Sequence, residues 1–177
     1  MKSLRFLLGA VTIAGGLTWA AGSAVAGAST PVTPVCLSSH LRLSFGAAEG
    51  AAGTIFIPLV VTNLGPACAM WGVPAIQPVV LNRARHVVAV GPRARNNSIG
   101  QMPVRHVVAH GRSLSDAVGV TETGNYTPST CRPRNTSGIV VSLGGFIRHA
   151  YLPLKVSVCT RLASTTTRLL VPGKTGN

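Results

Sequence analysis

Eleven residues, Pro58-Leu59-Val60-Val61-Thr62-Asn63-Leu64-Gly65-Pro66-Ala67-Cys68, constrain this chain more than any other stretch. Ile55 to Thr62 is rich in β-branched and aliphatic side chains, which suit a pleated and buried strand. Asn63-Leu64-Gly65-Pro66 cannot continue that strand, because Asn and Gly favour turn geometry and Pro lacks the N–H a ladder needs. Cys68 and Trp71 follow at once. The stretch therefore predicts the central strand of an all-β domain, ending at a cross-linked corner against which Trp71 packs; a ligand-stacking platform is the other reading of Trp71.

The flanking sequence extends the pattern. Leu41, Leu43 and Phe45 alternate with Arg42 and Ser44, as in a half-buried strand. Pro74 and Pro78 restrict the next strand to an edge or a bulged path before Val79-Val80-Leu81. Arg85-His86-Val87-Val88-Ala89 recurs as Arg105-His106-Val107-Val108-Ala109. Two short copies do not make a repeat architecture and read as two strands around a Gly91 to Pro103 connection. Ser113 to Thr123 alternates polar with apolar residues, Ile139 to Leu143 and Ala150 to Val158 suit a hairpin across Gly144-Gly145, and Leu169 to Val171 adds a short closing strand. About seven to nine short strands and no convincing helix predict an Ig-like antiparallel β-sandwich at 36–171. An exposed lead-in at 27–35 and a loose tail at 172–177 complete the expected organisation.

Lys2 and Arg5 precede the apolar run Phe6 to Ala14, and Ala24-Val25-Ala26 has the small residues a signal peptidase reads, so residues 1–26 are expected to be a secretory signal. Gly15, Gly16, Thr18 and Ser23 interrupt the run short of the ~20 apolar residues that span a bilayer. No cysteine stands near the cleavage site for lipid attachment, which predicts a mature chain that is secreted or envelope-associated and carries no transmembrane segment. Cys36, Cys68, Cys131 and Cys159 all follow the signal, and an oxidising compartment makes two disulfides the default. Three connectivities exist. Cys36 with Cys68 and Cys131 with Cys159 is favoured because each pair brackets two strands about a Gly-containing turn, although a pairing between the first and last strands would also close a sandwich. No cysteine pair has the short spacing of a structural zinc knuckle.

Charge sets the functional expectations. Only Glu49, Asp116 and Glu122 are acidic against 16 Lys plus Arg, a formal net charge of +13, and removal of Lys2 and Arg5 with the signal leaves fourteen basic residues. Such a chain is drawn to anionic surfaces. Arg83, Arg85, Arg93, Arg95, Arg105 and Arg112 fall within thirty residues around the expected hairpin. They are the expected binding surface for an anionic envelope polymer, lipid head groups or an envelope protein. A specific nucleic-acid role is not expected, since aromatic residues are 5% and no helix-turn-helix, zinc finger or phosphate loop is present. Asn96, Asn125 and Asn135 lie in Asn-x-Ser/Thr sequons, which matter only in a glycosylating secretory route.

Catalytic patterns are mostly missing. Glycosidases use two carboxylates about 5 to 9.5 Å apart, whereas Asp116 and Glu122 on one strand would stand about 20 Å apart. Gly111-Arg112-Ser113-Leu114-Ser115 fails the nucleophile-elbow pattern at its last position, and oxidised cysteines supply no thiolate. An envelope hydrolase is thus disfavoured, and no catalytic residue or cofactor is assigned. Met102, His106 and His110 would share one strand face but spread over about 13 Å, too far for one ion. A hairpin centred on Asn96 would instead place His86 opposite His106, a possible Cu or Zn pair, although the neighbouring arginines oppose a cation.

Several segments occur in the order of one family: Cys36 with Leu41; Pro58-Leu59-Val60-Val61-Thr62-Asn63-Leu64-Gly65; Cys68-Ala69-Met70-Trp71-Gly72-Val73-Pro74; Thr121-Glu122-Thr123-Gly124-Asn125-Tyr126; Cys131-Arg132-Pro133; and Ala150-Tyr151-Leu152-Pro153 before Cys159. Together they resemble the actinobacterial secreted domain of unknown function numbered four thousand two hundred and thirty-two, from about Cys36 to Val171. Two departures stand out, Phe56-Ile57 before the Pro-Leu pair and His110-Gly111 where relatives often have Pro-Gly. The resemblance implies an exported, disulfide-bonded β-sandwich and brings no catalytic residue.

Overall fold

The computed structural model describes residues 32–176. The expected signal at 1–26 and the lead-in as far as residue 31 lie outside the described residues. In chain order the strands are β1 (Leu41–Phe45), β2 (Glu49–Ala51), β3 (Thr54–Asn63), β4 (Cys68–Met70), β5 (Ala75–Leu81), β6 (Val87–Ala89), β7 (Arg95–Asn96) and β8 (His106–Val108). There follow β9 (Ser113–Thr121), β10 (Pro133–Asn135), β11 (Gly138–Leu143), β12 (Ile147–Pro153), β13 (Ser157–Cys159), β14 (Thr165–Thr167) and β15 (Val171–Pro172). The fifteen strands among the described residues exceed the seven to nine expected, because segments of two or three residues are too short to leave an alternation. A one-turn helix α1 (Pro128–Cys131) and two 3-10 turns also form where no helix was expected.

Two sheets face each other, so the chain is all-β and sandwich-like. The larger runs β1-β3-β9-β14-β7, with β2 also on β3 and β15 also on β9; the smaller runs β12-β11-β5-β6. Pairing is antiparallel in both except between β14 and β7, which run parallel. Leu59 and Val118 of the larger sheet meet Ile76, Ile139, Val141 and Leu152 of the smaller one in the middle of the core. Val61 and Leu114 pack toward one end with the Cys36–Cys68 pair, and Ile57 and Val120 toward the other. The two disulfides are Cys36–Cys68 and Cys131–Cys159.

The 10-residue β3 is indeed central, flanked by β1 on one edge and β9 on the other. It tolerates Pro58 because the β1 pairing stops at Leu59 and the β2 pairing starts at Phe56, leaving a gap where a missing N–H costs nothing. The Pro58 carbonyl accepts from Gly46 N at 2.8 Å. Of the edge or bulged path expected for Pro78, an edge does not describe all of β5: it lies between β11 and β6, with Pro78 just beyond the β6 pairing, its carbonyl accepting from Val90 N at 2.8 Å.

β9 departs from its sequence pattern. Its alternation predicts one wet face, yet all of Ser113–Val120 is buried. The C-terminal residues expected as a loose tail explain this. β15 pairs with Leu114 and Ser115, Gly173 N donates to the Ser113 carbonyl at 3.0 Å, and Gly176 N donates to Ser115 Oγ at 2.9 Å. Gly176 has φ +80° and lies so close over Ala117 that a Cβ would approach its backbone N to 2.7 Å.

Among the described residues no helix is long and apolar enough to cross a membrane.

Candidate functional site

The repeated pentapeptides do not pair with each other. Asn82–His86 closes a local turn, in which Arg85 N donates to the Asn82 carbonyl and His86 N to Asn82 Oδ1, both at 2.9 Å, and β6 folds back on β5. β8 pairs instead with β4, Met70 opposite His106. A short loop closes at lower entropic cost than the long Gly91 to Pro103 connection, so the local hairpin wins. His86, just before β6, and His106, on β8, are therefore not opposite each other on one ladder as that hairpin would have placed them; among the described residues no cluster of three or more His, Cys, Asp or Glu is placed to hold an ion.

The six arginines expected to act together are carried by several elements. Arg83 and Arg85 ride on the β5–β6 turn, Arg93 lies in the following connection and Arg95 on β7. Arg105 and Arg112 flank β8, and they converge with Lys174 on one open cavity of about 670 Å³. Its walls are β8, the turn into β9 and the residues just after β15. His106, Val107 and Ser113 also line it, and no carboxylate among the described residues does.

The Arg105 side chain and the Arg112 backbone are held by their neighbours. The Arg105 guanidinium lies 5.5 Å over the Trp71 ring and donates from Nη2 to the Thr33 carbonyl at 2.6 Å. Trp71 meets Phe146 edge-on at 5.0 Å and packs on the cluster holding Cys36 and Cys68. Stacking and one hydrogen bond thus fix one end of a side chain that retains free N–H donors. Arg112 ends a tight turn closed by its own N–H to the Ala109 carbonyl at 3.1 Å, with Gly111 at φ +73°.

Asn63 anchors that turn. Arg112 and Asn63 exchange backbone contacts through Asn63 N to the Arg112 carbonyl at 3.0 Å and Gly111 N to the Asn63 carbonyl at 2.7 Å. The fully buried Asn63 side chain donates to the carbonyls of Pro66 and Val108 at 2.8 and 2.9 Å and accepts from Gly65 N at 2.9 Å. The Asn63-Leu64-Gly65 turn, legible as a strand breaker, is also the clamp that holds the Gly111-Arg112 turn in the wall of the cleft. Lys174 was missed because the tail was expected to be loose. The short closing strand expected at Leu169 to Val171 was the available signal, and it stops three residues before Lys174.

The three carboxylates sit elsewhere. Glu49 lies on β2 opposite Phe56 and Glu122 follows β9. Asp116 has no exposed surface. Between β14 and β15 the chain at 168–170 leaves the β9 ladder, and Asp116 Oδ1 accepts from Arg168 N at 2.7 Å in that gap while Oδ2 has no partner. Burial pushes its carboxyl up from 3.8 to about 7, against the lowering effects of that hydrogen bond and of the Arg168 charge.

Comparison with curated proteins and with solved structures found no match. A family model does match, over residues 36–171, which takes in all four cysteines, the Asn63 clamp and both arginines of the cleft. The chain belongs to the family described as Domain of unknown function (DUF4232).

Proposed function

We propose that this protein is an exported, non-enzymatic domain that holds an anionic ligand of the cell envelope in the cleft formed by Arg105, Arg112 and Lys174. The observation that carries this reading is the convergence of three cations, two from the flanks of β8 and one from the chain after β15, on a cavity whose lining has no carboxylate among the described residues. Charge-assisted hydrogen bonds from a stacked Arg favour a flat or forked oxyanion such as phosphate or carboxylate. The excess of basic residues over the whole chain, a formal net charge of +13 with Lys2 and Arg5 of the expected signal included, draws anions toward the molecule over longer distances. A binding role is favoured over a hydrolytic one because Asp116 is wholly buried and Glu49 and Glu122 lie outside the cleft.

Washing intact source cells with rising salt tests it. The wild-type protein should stay with the cells at low salt and be released as screening shortens the range of its charges. The Arg105→Gln, Arg112→Gln, Lys174→Gln variant should appear in the low-salt wash. Retention equal to wild type would overturn the reading.

A further inference from the structure

The segment that leads into the cleft at Arg105 displays several exposed apolar side chains, of which Val107 also lines the cleft. From Ile99 to Val107 the chain carries no carboxylate, and Ile99, Met102, Val104 and Val107 are 87%, 83%, 63% and 62% exposed. Val35, 51% exposed, joins them: it bridges Ala69, which pairs on its other side with Val107. Pro103, Val35, Trp71 and Phe146 line an apolar groove of about 420 Å³. Arg105 connects the two features, since it lines the basic cleft and stacks over the Trp71 ring. Val107 also belongs to both, exposed in the apolar border and lining the cleft.

Single exposed apolar residues are ordinary; several on one short segment beside a basic site point to a partner. An anionic polymer would be served by the arginines alone and gains little from aliphatic side chains. A bilayer with anionic lipids rewards both, because phosphate head groups meet the cations while aliphatic side chains enter the acyl boundary. The cleft reading supplies the cations for this step, so the inference rests on it and narrows its ligand. We infer that the Ile99–Val107 segment and the Arg105–Arg112–Lys174 cleft together form a docking surface for an anionic lipid bilayer, with Met102 and Val104 at its inserting edge.

Co-sedimentation of the exported, processed protein tests this, using vesicles of phosphatidylcholine and phosphatidylglycerol in equal parts, phosphatidylcholine vesicles, and soluble polyphosphate. The wild-type protein should bind the mixed vesicles and not the zwitterionic ones. Met102→Ser with Val104→Ser changes only exposed positions, so the fold is retained. That variant should lose roughly tenfold in affinity for mixed vesicles, given the area that two aliphatic side chains bury, while binding polyphosphate within about twofold of wild type on the same scale. Mixed-vesicle binding unchanged in the serine variant, or equal wild-type binding to both vesicle types, would overturn bilayer docking and leave the cleft in place. Arg105→Gln with Arg112→Gln should weaken both mixed-vesicle and polyphosphate binding; if it weakens neither, the cleft reading falls as well.

Discussion

Asp116→Asn is expected to raise the melting temperature by roughly 10 °C near neutral to mildly alkaline pH, by about half that midway through the titration window, and to change it little once the pH is below the 3.8 of an exposed carboxyl. The sign follows from the direction of the shift. Desolvation raises the folded-state pKa of Asp116 to about 7 from the 3.8 of an exposed carboxyl. Below the lower value both folded and unfolded chains hold the proton, and the site costs little. Between the two values the folded chain keeps a proton that the unfolded chain releases, so stability falls as pH rises, at up to about 1.4 kcal/mol per pH unit. Across the whole window the loss is roughly 4 kcal/mol, complete once the pH passes the folded value. Asn keeps the acceptor for Arg168 N and carries no charge to desolvate, so its stability should be nearly flat over the same range. Thermal unfolding of both proteins across the window checks this; parallel curves would show that Asp116 is not the titrating group. Glu49 and Glu122 are exposed, which makes Asp116 the dominant carboxylate in such an experiment.

Asn63→Ala should cost roughly 3 to 4 kcal/mol of folding stability, the sum expected for three hydrogen bonds whose partners are left largely out of water. The truncation strands the Pro66 and Val108 carbonyls and the Gly65 N–H. Asn63→Asp should be at least as damaging, because it keeps the acceptor for Gly65 N but turns a second oxygen toward two carbonyls. Anion affinity should fall with stability, since the same residue ties the Gly111-Arg112 turn to the end of β3. Denaturant titration and ligand binding measured on the same samples separate the two effects. Full stability in Asn63→Ala would mean that the backbone bonds alone hold the turn.

The long elements were legible in the sequence because their patterns are physical requirements. The run from Ile55 to Thr62 has to be a buried strand, and Asn63-Leu64-Gly65-Pro66 has to stop it. The favoured disulfide pairs could be argued from hairpin closure and are the pairs formed. The family resemblance, carried by motifs spread from Cys36 to Val171, coincides with the matched range of 36–171.

What could not be read depended on long-range pairing. Identical pentapeptides at Arg85 and Arg105 suggested partners, but hydrophobic pattern alone cannot say which strand a three-residue segment joins. With that pairing went the argument that set His86 opposite His106 and the six arginines around one hairpin. The burial of β9 was hidden for a related reason: its serines look like a wet face until the C-terminal residues cover them. That same cover brought Lys174 beside Arg105 and Arg112, so the candidate site was half legible, two of its three cations named and the third lost with the tail.

The most direct test compares two variants that remove the same amount of charge. Arg105→Gln, Arg112→Gln, Lys174→Gln empties the cleft of its cations, whereas Arg83→Gln, Arg85→Gln, Arg93→Gln removes three charges from exposed positions outside it. Calorimetric titration with polyphosphate at near-physiological salt should show the first variant at least roughly tenfold weaker than wild type, as expected for losing charge-assisted bonds, and the second within about threefold. Equal losses in the two variants would mean that the protein binds anions through its net charge alone, and would contradict a built cleft.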